Sequence, residues 1–189
     1  LDGALINALS NFASPESIDI SLMMTADADS TVQQQALQIA ASRKDCVAFV
    51  SPPLSAAQDP QSPSTAITNY FNSVLNTFNS YGVADSGWKY QYDKYNDQYR
   101  WIPLNGDVAG LCVNTDTVRD PWYSPAGFNR GAIKNAIKLA WSPSKTYRDA
   151  LYAVGVNPVV SFPGQGIVLF GDKTLQSKPS AFDRINVRR

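Results

Sequence analysis

The chain has 189 residues, 44% hydrophobic and 17% charged, with sixteen basic side chains against sixteen acidic ones. It is too apolar for a disordered chain and lacks the run of about 18 apolar residues that a membrane span needs. No histidine occurs, which removes Ser-His-Asp and Cys-His nucleophile systems, His-bearing zinc sites and the usual base near neutral pH. Two cysteines, Cys46 and Cys112, are too few for a thiolate zinc site or a disulfide scaffold, and their apolar neighbours predict buried free thiols. Zero net charge argues against nucleic-acid and membrane-surface partners. It hides a polarity, however: residues 1–88 hold two bases and eight acids, residues 89–189 fourteen bases and eight acids. Such halves either mix on one solvated surface or form opposed faces that steer head-to-tail contacts in a self-assembling subunit.

Taken in chain order, Leu5, Ile6, Leu9 and Phe12 predict an amphipathic helix over residues 2–12, ended at Pro15. The alternation in residues 18–24 predicts a strand. Asp29 or Ser30 then caps a helix to Arg43, with Val32, Ala36, Ile39 and Ala40 inward. The apolar run 46–50 completes a βαβ unit, whose strands are therefore parallel. Pro52, Pro53, Pro60 and Pro63 mark a loop, and a stripe from Ile67 to Tyr81 predicts a helix over 64–81, closed by Gly82. Trp88, Tyr90 and Tyr92 alternate, as do Tyr99 and Trp101, around an Asp-rich turn; this predicts an aromatic β-hairpin. A helix is expected over 103–116, extended chain within 133–141 and a helix over 144–154. Strands over 156–162 and 167–170 are joined by Pro163-Gly-Gln-Gly166. Strands alternating with helices define a layered α/β domain with a mostly parallel central sheet flanked by helices.

Catalytic motifs are incomplete. An apolar strand followed by Asp27-Ala-Asp29-Ser-Thr31 resembles the first motif of haloacid-dehalogenase-like phosphatases, in which two carboxylates and Mg²⁺ transfer a phosphoryl group. Ser51 suits that family's second motif, but Gly171-Asp172 lacks the second late acid that the metal needs. Asp29 as a helix cap explains the same residues without chemistry. Gly166 to Thr174 approaches a phosphate-binding loop, yet Ile-Val-Leu-Phe in its middle forms a strand and Asp172 repels phosphate. Asp93 and Asp97 belong to a turn, and the neighbouring aromatics serve as cross-strand packing, a stacking platform or a subunit patch.

Four segments of the second half carry a resemblance. They are Arg100–Asp116; Asp120–Arg130 with its Pro-Ala-Gly core; Gly155–Thr174; and Phe182–Arg189. In this order they resemble segments of contractile phage tail sheath proteins, nearest in wording to those of T4-like myoviruses. The resemblance implies a structural, non-enzymatic protein without cofactor or metal. It implies a subtilisin-like α/β domain over 1–170, without the protease chemistry, and the first strand of a C-terminal inner domain over 171–189. Sheath subunits stack as hexameric rings around a tail tube, between baseplate and tail terminator proteins. They are virion components assembled in the bacterial host cytoplasm, and their contraction drives the tube through the envelope for genome ejection. The resemblance also makes this chain an ordered piece of a longer subunit, monomeric on its own. Arg184, Arg188 and Arg189, basic residues beside the expected inner domain, are the candidate subunit contacts.

Overall fold

A computed structural model of the chain describes residues 2–177 and 179–188. Its centre is a four-stranded parallel sheet in the order β1 (Leu22–Met24), β2 (Val47–Val50), β3 (Gly82–Asp85) and β7 (Val156–Asn157). The expected βαβ unit is β1, α2 (Ser30–Arg43) and β2, with Leu22 opposite Val47. Asp29 caps α2 through its side chain, and Lys44 ends it in a left-handed conformation with its N–H on the Ala40 carbonyl.

Alternate residues of the strands feed two cores, as the pleat requires. Met23, Ala48, Val50, Ala84 and Val156 face a layer built from α1 (Asp2–Ser10), α2, the helix that follows Pro63 and α6 (Lys145–Ala153). Val47, Phe49 and Val83 face Val108, Leu111 and Cys112 of α5 (Asn105–Val118), together with Val159, Ile167 and Leu169. Phe49 and Phe71 are among the largest fully buried side chains, one in each core. Both cysteines are buried, and neither forms a disulfide.

The helix expected over 64–81 is shorter and ends differently. After α3 (Leu54–Ala57), α4 (Pro63–Asn69) starts on a proline, continues as a π-helical turn over Tyr70–Leu75 and stops at Asn76, which is left-handed. Gln34 of α2 donates to the carbonyls of Val74 and Leu75, satisfying the helix end. Polar residues then take the backbone into a loop: Thr77 bonds the Leu75 carbonyl, and Asn79 bonds both Leu37 and Tyr81. Gly82, expected to close the helix, instead opens β3.

The aromatic hairpin forms as expected. β4 (Trp88–Asp93) pairs antiparallel with β5 (Gln98–Pro103), with Tyr90 opposite Trp101 and Tyr92 opposite Tyr99. The extended 133–141 segment supplies only β6 (Lys138–Leu139), on the far side of β4. The strand expected over 156–162 is divided at Pro158: β7 joins the central sheet, while β8 (Val159–Phe162) pairs with β9 (Gly166–Leu169). The strand expected beyond Gly171 does not form among the described residues: Leu175 and Ile185 are fully buried, one in each core, and Ile185 opens the last turn α7 (Ile185–Arg188).

Candidate functional site

The C-terminal edge of a parallel sheet is where α/β proteins usually place chemistry. Here it holds Ser51 after β2, Asp85 at the end of β3 with Ser86 next, and Asn157 at the end of β7, all buried. Ser51 Oγ donates to Asp85 Oδ2 at 2.6 Å and accepts from the Asn105 N–H at the start of α5. Asp85 Oδ1 accepts from the Gly87 N–H. Burial pushes the Asp85 carboxyl up to about 8, and the nearby Asp107 carboxylate adds to the rise. Gln33 donates to the carbonyls of Ala28 and Ser51 and accepts from Tyr70. Asn157 bridges Ala84 and Lys173, and Ser86 Oγ takes the Val159 N–H. These groups are engaged in tying loops to the sheet, and the arrangement is architectural.

The phosphatase reading has no support in the geometry. Asp29 Oδ2 accepts from the N–H and hydroxyl of Thr31, which lowers its pKa as expected for a cap. Partial burial raises that of Asp27. Among the described residues, no group of three or more acidic or cysteine side chains is placed to hold a metal ion.

Two of the candidate contact residues are engaged inside the chain. Arg184 bonds Asp172 and the Tyr152 hydroxyl while staying partly exposed. The Arg188 guanidinium lies 4.3 Å from the Tyr81 ring centre and 3.8 Å from that of Phe182, and it donates to the Tyr81 hydroxyl. Arg189 lies outside the described residues.

The exposed surface is rich in aromatic rings. Tyr90, Tyr92, Tyr99 and Trp101 make a continuous ladder on the hairpin, with Lys138 over Tyr90 and Trp101. A second cluster joins Phe128, Phe162 and Phe170, with ring centres 5.1, 5.5 and 5.3 Å apart and the Arg148 guanidinium over two of them. Sequence reasoning missed this cluster, although each phenylalanine lies inside a segment singled out there. It also missed the Ser51–Asp85 pair, because Gly82 reads as the close of a helix and residues 83–87 show no pattern of their own.

The comparisons with known proteins agree with this architectural reading. Residues 3–175 match the central domain of the phage tail sheath protein family. The chain is 51% identical over 175 residues to a tail sheath protein of Vibrio phage KVP40, covering 85% of this chain and 26% of that one. It is 43% identical over 203 residues to that of Enterobacteria phage T4, covering 99% and 31%. It thus spans about a quarter to a third of the length of these curated relatives. The sheath of an extracellular contractile injection system, PVC, in its contracted state superposes with a TM-score of 0.68 at 18% identity, covering 92% of this chain and 45% of that one. The contracted helical sheath of the anti-feeding prophage gives 0.67 at 18%, covering 94% and 46%. The fold is shared with these contractile sheath proteins. The chain belongs to the phage tail sheath family through its central domain.

Proposed function

We propose that this domain belongs to a subunit of a contractile tail sheath, stacked as helically arranged hexameric rings around the tail tube. On triggering, the sheath shortens and drives the tube through the host envelope for genome ejection. The partners are further sheath subunits, the tail tube protein, and the baseplate and tail terminator proteins. The subunit is a virion component assembled in the bacterial host cytoplasm. Residues 1–170 are the central domain, and 171–189 begin the C-terminal sheath segment, seated on the central domain by Leu175 and Ile185. Arg184, Arg188 and Arg189 mark the border that faces neighbouring subunits.

The observation carrying this reading is the match of residues 3–175 to the sheath central domain, reinforced by 51% identity to a phage sheath protein. Expression of the complete reading frame followed by negative-stain electron microscopy tests it. Long hollow helical tubes are expected, and dispersed particles under all assembly conditions would overturn it.

A further inference from the structure

Two part-exposed apolar patches lie at opposite edges of the central sheet, one beside carboxylates and the other beside an excess of basic side chains. At the β1 edge, Leu5, Leu9, Met23 and Met24 line a cleft of about 130 Å³. Met24 is 56% exposed and Leu5 41%. Ala28, which also lines the cleft, is flanked by the exposed carboxylates of Asp27 and Asp29. No lysine or arginine occurs before Arg43, and that residue is buried against Asp45. The residues that line the cleft are uncharged, and the carboxylates of Asp27 and Asp29 stand on either side of one of them.

The phenylalanine cluster occupies the other edge. Phe170 N–H donates to the carbonyl of Pro158, the residue that follows β7. In the strand order, β1 and β7 are the two outer strands. Three inter-strand spacings of about 4.8 Å separate them by roughly 14 Å, with helices and loops beyond. Phe128 is 51% exposed and Phe170 40%. Arg148 lies over the rings, and Lys145 lines the adjacent hollow together with Arg148, Asp149 and Phe170.

Neither patch is complementary to itself: one is an apolar hollow beside two carboxylates, the other a half-exposed aromatic cluster where Lys145 and Arg148 outnumber Asp149. We propose that the phenylalanine patch of one copy seats in the Leu5–Met24 cleft of the next, Phe128 entering the hollow while Arg148 and Lys145 face Asp27 and Asp29. This inference rests on the sheath reading above and names a contact through which that subunit meets its neighbour. The apolar residues supply most of the attraction, and the charges set orientation and exclude the patch-to-identical-patch alternatives. Because the two surfaces differ, the contact is heterologous, and its repetition generates rings or helices rather than a closed two-fold dimer.

The test is disulfide trapping in the complete reading frame, with Met24→Cys and Phe128→Cys made separately and together; Cys46 and Cys112 are buried and serve as an unreactive background. Neither single variant should cross-link. Their mixture should give a dimer containing one of each, and the double variant a ladder of oligomers. Asp27→Lys or Arg148→Asp should each lower the trapped fraction about tenfold, and the two together should restore it. This charge exchange, at exposed Asp27 and half-buried Arg148, also serves as a control against a cysteine variant that folds poorly. Cross-linked dimers from either single variant, or tubes that form without any Met24–Phe128 cross-link, would overturn the contact and leave the sheath reading intact. Failure of the unsubstituted protein to form tubes would overturn the sheath reading, and this contact with it.

Discussion

Ser51 Oγ and Asp85 Oδ2 sit 2.6 Å apart at the C-terminal edge of the central sheet, and the same hydroxyl receives the first N–H of α5. Two strand ends and a helix start are thereby joined through a fully buried carboxyl group. Its pKa, pushed up to about 8 by burial, lies above the unfolded value of 3.8. A group of this kind binds its proton more tightly when folded, so its stabilising contribution is complete below pH 3.8 and is lost as pH rises through about 8. Stability in urea should therefore fall between pH 5 and pH 9 by an amount on the order of a few kcal/mol. Asp85→Asn should remove most of that slope while retaining an acceptor for Gly87. A slope unchanged in the variant would show that the dependence arises elsewhere.

Lys89 presents the opposite case, a buried cation with a partner. Its ammonium lies 2.8 Å from Asp107 Oδ1, with the lysine side chain 6% exposed, and it also donates to the Lys134 carbonyl. Lys89→Ala leaves the partly buried Asp107 carboxylate unpaired, and the loss should be about 3 kcal/mol in equilibrium denaturation. Lys89→Ala combined with Asp107→Ala should recover part of it. Equal loss in the single and double variants would mean the pair matters through packing alone.

Gly131 is a steric requirement of the second half. A Cβ there would stand 2.6 Å from the Leu169 carbonyl oxygen and 2.9 Å from the backbone N and O of Gly127. All three atoms are main chain and cannot turn aside. Gly131 also accepts from the Leu169 N–H and donates to Gly127, so Gly131→Ala must pull β9 away from the Pro125-Ala-Gly127 turn. A loss of about 1–3 kcal/mol is expected, with faster amide exchange in β8 and β9. An unaffected melting temperature would refute the crowding.

Arg184 and Arg188 fasten the C-terminal segment, and their loss should be local. The Leu175 N–H bonds Gly82, and the Ile185 N–H bonds Asp172. Replacing both arginines with alanine should speed hydrogen exchange at these two amides about tenfold while leaving β2 unchanged. Uniform acceleration across the sheet would assign the arginines a global role instead.

Much of the layout was legible because it rests on local rules. The apolar run at Cys46–Val50 could only be a buried strand, Asp29 marked a helix start, and alternating aromatics set the hairpin register. The errors occur where tertiary partners decide. The stripe from Ile67 to Tyr81 has helical spacing throughout, yet Gln34 from another helix completes the end at Leu75 and Asn79 fixes the loop beyond. β3 has only four residues, Gly-Val-Ala-Asp, too few to show a period; it is a strand because β2 and β7 lie on either side. At the site level, motif reading correctly assigned Asp29 to capping. It could not find the Ser51–Asp85 pair, whose members are 34 residues apart.

Pro158 gives the last consequence. It separates β7, hydrogen-bonded in the central sheet, from β8, hydrogen-bonded to β9. One nearly continuous stretch of extended chain thus serves two sheets, and the residue between them cannot donate a ladder bond to either. Traction applied to the Phe162–Gly166 tip therefore reaches the central sheet along covalent bonds, through a backbone whose φ is fixed by the proline ring. Under the proposed sheath function, such a connection acts as a tendon between the two sheets.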